Sequence, residues 1–341
     1  MNETPAKRRL LILEALKFRT TPVSSATLSA ELGMRGADFS ERTIRLDLAA
    51  MDKDGVTENF GRRGHLITDR GRDELNSAHT VQRIGFLSSK IDAMIYGMDF
   101  DLEHHKGTVV VNMTICTADQ LAPAIEEISA VFARGFAMGT LVALIPPGEK
   151  VGEMTVPKGK LGFCTVCSIT LNGILLQHGV PMRSRFGGLL EIRSGRPVRF
   201  AEAINYNGTS LDPLVIFIRG GFTNYRSAIH NGNGLIGASF REIPAASHDF
   251  AREIAKKSVQ SGIGGFLEIS SPMGGEFYGI PVNEGCCGAV VIGGLNPVSI
   301  LVERGNPVLA SALSGFLDFK RLFPYTQLPS HFASLRIKHG L

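Results

Sequence analysis

The chain has 341 residues, 44% of them hydrophobic and 20% charged, which supplies real cores and argues against disorder. A net charge of +4 excludes a generally basic nucleic-acid coat, so any grip on phosphate depends on where individual arginines sit. No run reaches the ~18 apolar residues of a spanning helix.

Lys7-Arg8-Arg9 leads into Glu14 and Lys17 too soon for the apolar core of a signal peptide. Five cysteines, an odd number, sit in a chain large enough not to need disulfide staples. The expectation is a cytoplasmic protein with reduced thiols and no membrane partner.

In chain order, Ala6–Phe18 carries leucines at helical spacing, and Val23-Ser24-Ser25 offers hydroxyl caps for a second helix with Leu28 and Leu32 one turn apart. A break at Gly33-Met34-Arg35-Gly36 follows. Ser40 is the predicted N-cap of a third helix that reaches Asp52 and stops at Gly55. Val56–Phe60 and His65–Thr68 then read as two short strands around a basic, glycine-flanked tip, Gly61-Arg62-Arg63-Gly64. Helix, helix, helix, hairpin is the order of a winged helix-turn-helix, assigned to residues 1–75.

The third helix sorts its side chains by face. Ile44, Leu48 and Met51 fall together and would seat it on the first two helices. Arg42, Arg45, Leu46 and Ala49 fall opposite, with Thr43 beside them. Arginine on such a face can bond guanine O6 and N7 bidentately, and Ser40 or Thr43 can reach phosphate or base edges. An ordinary solvated face would hold the same residues, but Arg62 and Arg63 at the wing tip favour duplex DNA as the partner. The first 80 residues hold 13 Lys/Arg against 12 Asp/Glu, so few phosphate contacts would carry the binding.

After a short connector, Asn76–Thr80, charge thins and glycine becomes frequent. Residues 81–325 contain a weak tandem repeat with a period of 126 to 127 residues. Gly107 and Val111 match Gly234 and Ala238, and Glu127-Ile128 match Glu253-Ile254. Gly139-x-Leu141 matches Gly265-x-Leu267, and Ile174, Gly179 and Pro181 match Ile300, Gly305 and Pro307. Each copy reads strand, helix, strand, Gly-rich stretch, strand: Val109–Cys116, Leu121–Ala133 and Thr140–Ile145, then Leu235–Ile243, Ser247–Ser261 and Phe266–Ser270. The fold class is therefore α+β, a winged helix-turn-helix followed by an internally duplicated mixed α/β domain whose units span about 81–205 and 206–325. The seam between two such modules is a natural place for a small ligand.

The repeat separates what the module needs from what is added. Arg183 and Arg185 correspond to Leu309 and Ser311, while Ser239, Arg241 and Glu242 correspond to Asn112, Thr114 and Ile115. An arginine beside Gly187-Gly188 suits a carboxylate, which its fork binds in a way lysine cannot copy. The competing reading makes these arginines structural bridges to Glu191 or Glu242. Cys164 and Cys167 lie in Leu161–Leu171, read as one strand. Residues three apart then face opposite ways and could neither chelate nor bridge. No metal or cofactor is expected, and a single thiol beside Ser168 suits a pocket lining better. No Gly-x-Ser-x-Gly, Walker loop or dinucleotide fingerprint occurs, so the case for an enzyme is thin.

Five ordered strings resemble the NrpR family of archaeal nitrogen-regulation repressors. They are Thr165-Val-Cys-Ser-Ile-Thr-Leu-Asn-Gly173, Arg185-Phe-Gly-Gly188, Gly208-Thr-Ser-Leu-Asp-Pro213, Gly237-Ala-Ser-Phe-Arg-Glu-Ile-Pro244 and Gly293-Gly-Leu-Asn-Pro297. The first 75 residues are similar to the winged helix of ribonuclease R-type proteins. The resemblance implies a homodimeric repressor that binds operator DNA and releases it when 2-oxoglutarate occupies the effector domain. Cys167, Ser168, Arg185, Thr209, Ser210, Ser239 and Arg241 lie in the matching strings and are of types that bind carboxylates. Some members carry two effector domains, whereas this chain has length for one. Two other readings stay open: an enzyme acting on a small keto acid with a regulatory winged helix, and an RNA-binding accessory protein.

Overall fold

Ser24 and Ser40 each stand just before a helix and cap it. In the computed structural model Ser24 Oγ accepts from Thr27 N at 3.2 Å, and Ser40 Oγ accepts from Thr43 N at 3.2 Å. The structure describes residues 5–17, 19–34, 39–75, 86–306 and 308–341. Of the expected Gly33–Gly36 break, Gly33 and Met34 instead belong to the second helix, while Arg35 and Gly36, the whole Asn76–Thr80 connector and Pro307 lie outside these residues. The chain divides into two units, Met1–Ile84 and Gly85–Leu341.

In the first unit, α1 (Pro5–Leu16), α2 (Ser25–Met34) and α3 (Glu41–Lys53) are followed by β1 (Thr57–Asn59), β2 (His65–Ile67) and a helix α4 over 69–75. Ile12, Leu13, Leu28, Leu32, Ile44 and Leu48 are at most 1% exposed. Each such aliphatic side chain contributes about 1.5–3 kcal/mol by leaving water. β1 and β2 pair antiparallel, Thr57 opposite Ile67 and Asn59 opposite His65. The tip between them is a short 3-10 turn, Gly61–Arg63. Asp52, near the end of α3, accepts from Thr57 Oγ1 at 2.6 Å and lies 3.1 Å from His65 Nε2, which pins the hairpin to the helix.

The second unit opens with α5 (Phe86–Gly97). Next come β3 (Thr108–Cys116), the broken helix α6 (Ala118–Leu121) and α7 (Ile125–Ala133), β4 (Leu141–Ile145), the small hairpin β5 (Lys150–Val151) and β6 (Met154–Thr155), β7 (Leu161–Val166) and α8 (Thr170–Gln177). Then follow β8 (Arg183–Arg193), β9 (Arg196–Asn205), α9 (Pro213–Arg219) and α10 (Tyr225–Asn231). The second copy comprises β10 (Gly234–Pro244), α11 (His248–Gln260), β11 (Phe266–Ile269), the hairpin β12 (Gly275–Phe277) and β13 (Ile280–Val282), β14 (Cys286–Ile292), α12 (Ser299–Glu303) and β15 (Leu309–Asp318). β16 (Phe323–Pro324) and α13 (Leu328–His339) close the unit.

Two five-stranded sheets result, ordered β15-β3-β7-β4-β16 and β11-β14-β10-β8-β9, every pairing antiparallel. They reveal an exchange. β8 closes the first repeat but pairs with β10 of the second, Gly187 opposite Ser239 and Gly188 opposite Ala238. β15 closes the second repeat but pairs with β3 of the first. A cut at residue 205 therefore does not separate two self-contained modules, because the first repeat lends β8 and β9, and the second lends β15, to the other's sheet. The boundary at 325 also falls short: Leu328 and Phe332 of α13 are buried in the same core as β4 and α7.

Repeat-related glycines meet at the seam. A Cβ on Gly139 would stand 2.1 Å from Gly262 O, and one on Gly265 would stand 2.0 Å from Met138 Sδ; their φ angles are +62° and +104°. Only glycine permits both the turn and this approach of backbones.

Candidate functional site

The first unit spends the arginines of α1, and Arg19 after it, on internal pairs. Arg8 Nε bonds Asp47 at 2.8 Å, Arg9 Nε bonds Glu74 at 2.6 Å, and Arg19 pairs with Glu31. On α3 the packing face is as the periodicity indicates, with Ile44, Leu48 and Met51 buried. Arg42, Arg45, Ala49 and Leu46 are exposed on the other side. Ser40 Oγ and Thr43 Oγ1 share a hydrogen bond of 2.8 Å at the start of the helix. Arg45 is held by Glu41 one turn earlier, and that bond lowers the Glu41 pKa. Arg63 lies over the Phe60 ring at 5.6 Å. Arg42 and Arg62 have no ion-pair partner among the described residues.

In the second unit, four of the seven carboxylate candidates converge. β7 stops at Val166, not at Leu171: the Cys167 amide turns to Val110 O (2.8 Å), and Thr170 Oγ1 donates to the same oxygen (3.1 Å). Ser168 thereby faces β10, where Arg241 is fully buried. Its Nε donates to Ser239 Oγ (3.0 Å), Nη2 to Ser168 Oγ (2.7 Å), and Nη1 to Ser168 O (2.9 Å) and Asn172 Oδ1. No carboxylate contacts this guanidinium among the described residues. Burial pulls its pKa down, offset by Tyr206, Cys167 and Asp212 nearby. Arg241 thus staples β10 to the turn between β7 and α8.

Arg185 is elsewhere. It is the extra residue of a bulge where Phe240 faces Phe186 and Arg241 faces Ser184. Its Nη1 donates to Glu242 Oε1 (2.6 Å) and Pro281 O (2.8 Å), and its guanidinium stacks on Phe186 and Phe240. Phe240 and Glu242 alternate with Arg241 along β10, so Arg185 lies on the opposite face of the sheet. Of the two bridges considered from sequence, the structure contains the one to Glu242. Thr209 is buried and its hydroxyl closes on its own loop, donating to Leu211 O at 2.7 Å.

Ser210 lines a cleft of about 230 Å³ with Lys90 of α5, Asp212, Arg219 at the end of α9, and Leu313. Burial raises the Asp212 pKa above the usual carboxylate range, partly offset by the backbone N–H groups of Leu214 and Val215 and by Arg241. The left-handed Leu313 (φ +53°) belongs to a bulge of β15 and donates its N–H to Asn112 Oδ1 at 3.2 Å. Lys90 and Arg219 escaped the sequence reading because the cleft joins segments more than 200 residues apart, and Asp212, though inside a quoted string, was not singled out. Asn172 stood inside a quoted string, but only its bond to Arg241 singles it out.

Residues 84–323 match the family model for NrpR regulatory domains NRD1 and 2. The chain belongs to the NrpR family. Residues 10–75 match the ribonuclease R winged-helix domain, so both halves of the resemblance read from sequence are borne out. The global nitrogen regulator NrpRI of Methanosarcina mazei is 33% identical over 94% of this chain and 99% of its own length. NrpR of Methanococcus maripaludis is 29% identical over 91% of the chain, and NrpR of Methanocaldococcus jannaschii 30% over 98%. This NrpR chain covers 54% and 59% of those two proteins. A crystal structure of a nitrogen repressor-like protein from Methanococcus jannaschii aligns with a TM-score of 0.59 at 27% identity, covering 70% of this chain and 97% of that one. No helix among the described residues is long and apolar enough to cross a membrane.

The thiols of this NrpR chain are subdued. Burial pushes Cys116 and Cys164 up to about 12 and Cys167 up to about 11. Cys286 is the partly exposed one. Thiolate is the nucleophile, so iodoacetamide at pH 8 is expected to modify Cys286 first, with the four buried thiols, Cys116, Cys164, Cys167 and Cys287, reacting only on unfolding. Mass spectrometry of partly labelled native protein reads this directly. Equal labelling of Cys167 would mean that the Ser168 turn opens to solvent.

Proposed function

We propose that the chain is a ligand-responsive transcriptional repressor. The first unit binds duplex operator DNA through Ser40, Arg42, Thr43, Arg45, Arg62 and Arg63. The second senses a small dicarboxylate, with 2-oxoglutarate the leading candidate, and the protein acts as a homodimer on paired half-sites. The observation that carries this reading is the division of cations in a nearly neutral winged helix. The α1 arginines are consumed by internal ion pairs, while those on the outer face of α3 and at the wing tip are exposed. The relatives named as nitrogen regulators support the same class.

For the effector, the cleft at Ser210 is the better candidate than the seven residues taken together. Lys90 and Arg219 give it two cations, Ser210 a hydroxyl, and the buried Arg241 has no carboxylate contact of its own. Ser168, Ser239, Arg241 and Cys167 do not line this cleft; Arg241 reaches it through its field on Asp212, which partly offsets the rise that burial gives that carboxyl's pKa. Lys90 sits on α5, which follows the connector from the DNA-binding unit in sequence, so an acid held there bears on the element that leads to the winged helix.

The test begins with duplexes selected from a random pool by repeated binding to the full chain. Titration with 2-oxoglutarate is expected to weaken binding about 5- to 150-fold, and DNA must weaken the acid's binding by the same factor. Lys90→Ala is expected to keep DNA affinity and lose the response. Selection of structured RNA over duplex DNA, or turnover of the keto acid, would overturn the reading. A chain that binds duplex DNA but ignores the acid would refute the effector assignment alone.

A further inference from the structure

A second cleft, of about 270 Å³, borders the other flank of α5, and its chemistry differs. Ser88, Ile91, Asp92 and Ile95 recur at i, i+3, i+4 and i+7, so one face of the helix forms a wall. Arg183 and Ser184 of β8 line it too. Asp92 and Arg183 are both exposed, and neither has an ion-pair partner among the described residues. Two buried polar side chains complete the lining: Asn172, 2% exposed, and Tyr206, 5% exposed. The Asn172 amide is fixed, its Oδ1 accepting from Arg241 and its Nδ2 donating to Met182 O at 3.0 Å. The Tyr206 hydroxyl has no hydrogen-bond partner among the described residues. Gly187 leaves room for it, since a Cβ there would stand 3.0 Å from that oxygen.

An unpaired carboxylate and an unpaired guanidinium on one small cleft select for charge pattern. A dianion satisfies Arg183 but meets Asp92, and a neutral molecule satisfies neither. A ligand with one ammonium and one carboxylate a few bonds apart satisfies both. We propose that this cleft binds a free α-amino acid as its zwitterion, ammonium at Asp92 and carboxylate at Arg183, with the Tyr206 hydroxyl meeting the ligand's side chain. The site lies at the junction of α5 with the turn after β9, where Ser88 Oγ donates to Asn207 Oδ1 at 3.0 Å. It uses none of the residues assigned to the dicarboxylate cleft, so it stands or falls independently of the effector reading.

Thermal shift and calorimetry on the full chain with L-glutamine, L-alanine and L-leucine test the proposal. At least one of the three is expected to raise the melting temperature in a saturable way, because it binds only the native state. For glutamine, two analogues isolate the charges: glutaramate lacks the ammonium and glutaminamide lacks the carboxylate. Each is expected to bind about tenfold more weakly or worse. Asp92→Asn and Arg183→Gln should weaken zwitterion binding by a similar factor. Their ligand-free melting temperatures should match the wild type, since neither side chain holds a structural partner. Tyr206→Phe should change the ranking among the three amino acids. The proposal is overturned if none of them binds at millimolar concentration, if an analogue lacking one charge binds as well as its parent, or if both charge variants bind like the wild type.

Discussion

Arg241→Ala is expected to destabilise the second unit by about 3–5 kcal/mol, combining a core cavity with buried acceptors left unpaired. The side chain is wholly buried and ends in four hydrogen bonds that reach Ser239 on its own strand and Ser168 and Asn172 across the core. Alanine would remove all four and leave a void that the packed strands β8, β10 and β14 cannot close. Because no carboxylate pairs with the guanidinium, no orphaned counter-charge remains, which keeps the loss below that of a broken buried ion pair. Arg241→Met, which refills the volume without the burial cost of a charge, is expected to recover part of the loss. Arg241→Lys should recover little, since one ammonium cannot span Ser239, Ser168 and Asn172 at once. Urea denaturation of the full chain followed by circular dichroism gives the ranking. An alanine variant within about 1 kcal/mol of wild type would mean that Ser168 and Asn172 find other partners.

The legible parts of this chain are those where one face is dry and the other wet. α3 was readable because Ile44, Leu48 and Met51 recur with the helical period while Arg42 and Arg45 fall opposite. The strands at 108–116 and 234–244 were readable from apolar runs bounded by glycine. The exchange of β8 and β15 was not, because the strands they join, β10 and β3, are buried along almost their whole length and carry no alternation to name a partner. The end of β7 was missed for a related reason. Ser168-Ile-Thr-Leu171 continues the apolar pattern, and only the bonds from Cys167 N and Thr170 Oγ1 to Val110 O turn the chain there. α13 carries Leu328, Phe332 and Leu335 at helical spacing, but Leu335 is only partly buried and Ile337 points to solvent, which blurs the face. Among the candidate ligand residues, sequence could show that arginine at 185 and 241 was not required by the repeat. It could not show that a bulge throws the two to opposite faces.

The recognition surface gives the other large effect. Arg45→Ala is expected to cost about 1–3 kcal/mol of operator binding and to relax preference at one base position, since a bidentate contact to guanine is lost. Arg62→Ala should weaken binding to all duplexes alike and reduce the salt slope by about one, as for a lost phosphate contact. Both side chains are exposed, so neither change should disturb folding. The structure adds a third member to the series. Glu41 holds Arg45 from one turn back on the helix, and its carboxylate would also repel phosphate. Glu41→Gln should therefore tighten binding to selected duplexes and raise the affinity of Arg45-dependent sites most. If Arg45 instead serves only as a surface partner of Glu41, the glutamine variant and the alanine variant will both bind DNA as the wild type does. In that case α3 does not read bases, and the wing with Arg62 and Arg63 must account for whatever duplex binding is observed.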